Sequence, residues 1–177
     1  MEFGSSLNFD KVIAYMIPGV VGLQSISYYS QKVNLWINSY LYNENNLGTI
    51  FIIIMSSIGI GLIISAIRWF ILDYIHYKTG IKKEKIPYNK LNNKNITVFK
   101  EAIANTYRYY EFYGNMFIAL LSLLVSRCFY YTPFLININK INFIIIALLF
   151  FLFFASRDSL KRTYPTINSI LNNDGGK

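Results

Sequence analysis

LGTIFIIIMSSIGIGLIISAIRWFILDYIHY, residues 47–77, decides the fold. From Leu47 through Ile67 no side chain carries a charge. About twenty such residues, rising 1.5 Å each, cover the roughly 30 Å hydrocarbon core of a bilayer. The segment reads as a transmembrane helix. Ser57, Gly61 and Ser65 recur at every fourth position, so three small side chains share one face. Such a stripe lets a second helix approach closely. It equally suits the wetted wall of a pore between several copies, because polar groups persist in hydrocarbon where they face protein or water. The segment ends in Arg68, Trp69, Asp73 and His76, residue types of the membrane interface, with Arg68 placed to snorkel toward the headgroups.

The rest of the composition agrees with residence in a membrane. Of 177 residues 54% are hydrophobic, and the formal charge is +8. A single Cys (Cys128) and a single His (His76) rule out a disulfide framework and a Cys/His metal cluster. No glycine-rich phosphate loop, HExxH, GxSxG or paired-Cys motif occurs. No catalytic residue, metal or cofactor is therefore expected, and the chain does not read as an enzyme. Asp73 and His76, one helical turn apart, read as an interfacial polar pair. The opening MEFGSS resembles a cloning scar or flexible leader and enters no fold argument.

Taken in order, the chain predicts a single all-α transmembrane domain with four spans, at about 12–29, 48–76, 112–132 and 138–156, and a basic segment over 77–111. In the first span Pro18-Gly19 removes a helical hydrogen bond, so a kink or break is expected there, with neighbouring groups satisfying the freed backbone. Residues 31–46 place Val33, Trp36, Ile37, Tyr40 and Leu41 on one face, an amphipathic pattern suited to the membrane surface. Ile96, Phe99, Ile103, Tyr107 and Tyr110 also recur at helical spacing, predicting an amphipathic helix that runs on into the third span. That span carries Asn115, Ser122 and Ser126 on about one face, again open to a packing or a pore-lining reading. Arg127, near its far end, is expected to snorkel outward or to join an outer electrostatic ring. The tail from Arg157 carries Lys161 and Arg162 and little hydrophobicity.

Charge sets the orientation. Lys and Arg crowd residues 68–108 and the tail, whereas the 30–48 and 133–140 linkers hold only Lys32 and Lys140. Positive charge stays on the cytoplasmic side, which predicts a multi-pass inner-membrane protein with both termini and the basic segment inside. Lys82, Lys83, Lys85, Lys90 and Lys94 would draw an anionic ligand, although the positive-inside bias accounts for the same charge without one. Four short spans are too thin to enclose a water path, so any pore would lie on the axis of a cyclic homo-oligomer.

Three stretches carry a resemblance: FDKVIAYMIPGVVGL with its aliphatic-Pro-Gly motif, YRYYEFYGNMFIALL entering the third span, and ASRDSLKRTY leaving the fourth. They resemble the small four-span membrane effectors of bacterial anti-phage defence operons, encoded beside a nucleotidyltransferase, closest to those of Hailong systems. The resemblance implies an oligomeric ion channel, with a tetramer favoured, held shut by a nucleotide or DNA oligomer made by that enzyme. Loss of the signal in infection would open it, depolarise the membrane and arrest growth, an abortive infection. Related CBASS and Pycsar effectors are instead switched on by a nucleotide. A different class stays open: a non-conducting membrane anchor or assembly subunit that recruits a soluble partner through the basic segment.

Overall fold

The computed structural model describes residues 9–42, 47–81, 96–131 and 140–173. They form five helices: α1 (Phe9–Ser27), α2 (Gln31–Tyr42), α3 (Leu47–Lys78), α4 (Ile96–Tyr131) and α5 (Lys140–Asn173). No strand occurs among the described residues. The class is all-α, as the sequence predicts. α3, α4 and α5 are long and apolar enough to cross a membrane, whereas the apolar part of α1, Ile13–Ser27, is shorter. The protein is a membrane protein with three helices of spanning length among the described residues.

The core runs along α4. Leu120 packs with Ile145, Leu149 and Leu152 of α5. Ile118 and Ala119 pack with Ile64 of α3. Farther along, Tyr110 meets Ile81 and Leu160, and Phe99 meets Ile167 and Leu171. Phe99 and Tyr110 are buried, on the face their spacing predicts.

α5 departs from expectation at its C-terminal half. The residues after Ala155 continue as helix to Asn173. The reason is a stripe at spacings of three and four: Ile145, Leu149, Leu152, Ser156, Leu160, Thr163, Ile167 and Leu171 are all buried. That near-heptad seam lies along α4, and polar residues interleaved with it lower the local hydropathy without breaking the face. Pro165 stands on the exposed side, and the helix passes through it.

α1 and α3 touch backbone to backbone. A Cβ on Gly19 would collide with the Ser57 carbonyl, and a Cβ on Gly61 with the Tyr15 carbonyl. Tyr15 and Gly19 are four residues apart, as are Ser57 and Gly61, so each helix offers its glycine to the other's carbonyl. Small residues in register permit this approach.

α1 is helical from Phe9 to Ser27 without interruption at Pro18, although a kink or break is expected there. Proline 18 has no N–H for the carbonyl of Ala14, four residues back. Asn115 of α4 supplies the missing donor, its Nδ2 lying 3.2 Å from the Ala14 oxygen. Both Pro18 and Asn115 are fully buried. The gap in the ladder is closed from outside.

Candidate functional site

Arg68 lies about 30 Å along α3 at 1.5 Å per residue, where the apolar thickness of a bilayer runs out. There is room for it because α4 carries Gly114, whose added Cβ would come within 2.6 Å of Arg68 Cδ. The side chain is 3% exposed, and its guanidinium donates from Nη1 to Asp73 Oδ1 at 3.1 Å. It also rests over the Tyr110 ring, 4.8 Å from its centroid. The Tyr110 hydroxyl donates to the same oxygen of Asp73. Arg68 therefore does not snorkel. Its ion pair and ring face are both inside the protein, which offsets part of the desolvation cost of burying two charges.

The neighbouring turns extend this junction to α1 and α5. His76, fully buried, places Nε2 3.3 Å from the Ser156 hydroxyl, and its ring packs 5.1 Å from that of Phe153. The expected pairing of His76 with Asp73 is not made, because Asp73 is committed to Arg68 and Tyr110. The Tyr77 and Tyr164 hydroxyls lie 3.0 Å apart. Arg157 donates to the Thr79 carbonyl at 2.8 Å. Tyr15 of α1 lies beside Glu111 of α4. Among the buried side-chain atoms here, Arg68 Nε and His76 Nδ1 have no hydrogen-bond partner. Ionisable groups placed this deep are costly and mark function by default.

α3 stops where this site requires. Ile81 N–H donates to His76 O at 3.2 Å and Gly80 N–H to Tyr77 O at 3.4 Å. With Gly80 at φ 103°, this is the paired-bond C-cap in which a left-handed residue ends the helix. Ile81 is turned back and buried against Tyr110 and Leu160.

The residues singled out from sequence fall in three places. Ser57 and Gly61 face α1, and Ser57 Oγ donates to the Ile53 carbonyl at 2.7 Å. Ser65 is half-buried. Asn115 holds the Ala14 carbonyl, Ser126 is buried, and the Ser122 and Ser25 hydroxyls lie 3.1 Å apart. Pro18 and Gly19 lie in that same α1 interface. Arg127 is half-buried, its Nε donating to Asn142 Oδ1 at 3.1 Å and its Nη1 to the Tyr28 hydroxyl at 2.9 Å, which ties α4 to α5 and to the turn after α1. Lys82, Lys83, Lys85, Lys90 and Lys94 lie outside the described residues.

Sequence reasoning missed Tyr110 as a partner of Arg68 and Asp73, since nothing local links α3 to α4. The Thr79-Gly80 helix stop was a readable signal, with Gly just past a helix ending in Lys78. Among the described residues no three His, Cys, Asp or Glu side chains gather to hold a metal. Compared with protein-family models, curated proteins and solved structures, the chain matches none.

Proposed function

We propose that the protein is a multi-pass inner-membrane effector of an anti-phage system, a homo-oligomeric ion channel controlled by a nucleotide or oligonucleotide bound to the basic segment between α3 and α4. The observation that carries this reading is Ile81. It is the last described residue before that segment, and it packs on Tyr110, whose hydroxyl bonds Asp73. A ligand that pulls on the segment acts through one side chain on a buried ion pair at the membrane boundary. In this reading α1 completes a fourth span, both termini and the α4–α5 extension are cytoplasmic, and conduction takes place on the axis between protomers. Ion flux through liposomes tests it: flux that changes with added nucleotide or oligonucleotide supports the channel, and none under any ligand condition sinks it.

One observation favours a second reading. Ser57, Gly61, Asn115 and Ser122 all engage other groups of the same chain, so these polar stripes are already occupied within one protomer. A non-conducting anchor that recruits a soluble partner through the basic segment needs no other lining. Replacing Ser122 and Ser126 by Ala would then leave function intact, while removing charge from Lys82, Lys83, Lys85, Lys90 and Lys94 would abolish it.

A further inference from the structure

Between α2 and the α1–α3 pair lies a groove of about 490 Å³. Its walls are mostly apolar, with Met16, Val20 and Leu23 from α1, Ile37 from α2, and Ile50 and Ile53 from α3 beside the lone hydroxyl of Ser57. At Gln24 the character changes. Gln24 also borders a second depression of about 440 Å³, where α1 and α4 end, whose walls include Ser27, Tyr28, Gln31, Asn34 and Tyr130. The two hollows share Gln24 as a wall, and taken together they make an amphipathic cleft, greasy on one side of Gln24 and polar on the other.

We propose that this cleft binds one phospholipid, with an acyl chain in the groove and the phosphate and glycerol esters in the polar depression. Three features choose this occupant over a helix from a second copy. Each hollow is of ligand-site size, and the apolar one opens among helices that lie in a membrane. The polar walls carry amides and hydroxyls in place of carboxylates, so they offer donors to ester and phosphate oxygens. Asn34 Oδ1 already accepts from Asn38 at 2.6 Å, which leaves its NH2 group as the donor to an incoming oxygen. Charge favours the same orientation: Arg127 holds the Tyr28 hydroxyl that borders the depression, bringing a cation to the headgroup end. A packed apolar helix would fill the groove but cover these amides without partners, at a desolvation cost. The site is independent of whether the protein conducts.

The test is native mass spectrometry of the intact protein after reconstitution in vesicles of dioleoyl phosphatidylglycerol and phosphatidylethanolamine and extraction in a delipidating detergent. One phospholipid per protomer is expected to survive extraction. Ile53→Trp, which fills the groove, should lower retention about ten-fold, whereas Phe151→Trp on the exposed face of α5 should not change it. Should Ile53→Trp fail to fold, Asn34→Ala, on an exposed position of α2, should still lower retention several-fold. Retention in Asn34→Ala and Ile53→Trp equal to the unsubstituted chain overturns the proposal. So does an unsubstituted chain that keeps no lipid, or a cleft that crosslinks to a second copy.

Discussion

Asn115 donates to the carbonyl of Ala14, the one carbonyl of α1 that Pro18 leaves without its helical partner. A side chain on α4 thereby completes the backbone of α1, and the two helices cannot be repacked independently. Replacing Asn115 by Leu should destabilise the protein by about 1–3 kcal/mol, the cost of stranding a buried carbonyl. Pro18→Ala returns the N–H, so Asn115→Leu should cost clearly less in that background. Thermal unfolding in detergent of the four proteins of this cycle measures the coupling. Additive losses would show that Asn115 acts elsewhere.

The α1–α3 crossing predicts a sharper penalty. Gly19→Ala and Gly61→Ala each force a methyl into a facing carbonyl, and the backbones must part. Overpacking of this kind costs about 1–3 kcal/mol or more. Gly59, whose Cβ would meet nothing, is the control, and Gly59→Ala should be neutral or slightly stabilising. Melting temperatures of the three variants decide it.

Breaking the Arg68–Asp73 pair from one side leaves a lone buried charge. Arg68→Met or Asp73→Leu alone should cost about 3–5 kcal/mol, while the double replacement should cost less than either single one. Arg68→Lys should not rescue, because an ammonium does not reproduce the guanidinium plane over Tyr110. Under the channel reading, the single variants should also alter liposome flux at zero ligand.

The α4–α5 extension should loosen without disturbing the membrane part. Ile167→Ala removes a side chain that packs on Phe99 and Leu171, a change worth about 2–5 kcal/mol in a packed core. Hydrogen exchange should rise in residues 96–106 and 160–173 and stay unchanged in α1 and in α3 before Arg68. A uniform rise along the chain would mean that the extension and the membrane part unfold as one unit.

What could be read from sequence followed period and length. The twenty-one uncharged residues from Leu47 through Ile67, and Phe99 and Tyr110 at helical spacing, give helices and faces with no tertiary information. The close-packing reading of Ser57 and Gly61 also rested on spacing alone. Partners could not be read in the same way. Arg68 looks interfacial because its burial depends on Gly114 and Tyr110, more than 40 positions away. The seam of α5 was hidden by its own composition, since Lys161, Arg162 and Pro165 sit between Leu160, Thr163 and Ile167. Low mean hydropathy concealed a regular stripe.

Past Tyr110, α4 runs on to Ile96 for about 20 Å at 1.5 Å per residue, and near its tip Phe99 packs against Ile167 and Leu171 of α5. Both helices are continuous past the level of the ion pair, so together they extend beyond it as one stiff arm. A swing of ten degrees about Tyr110 carries the tip through about 3–4 Å for an arm of that length. Leverage then depends on where a partner takes hold. One that grips near Ile96 turns Tyr110 with little force over a long travel, and one that grips at Ile81 must supply the torque almost directly.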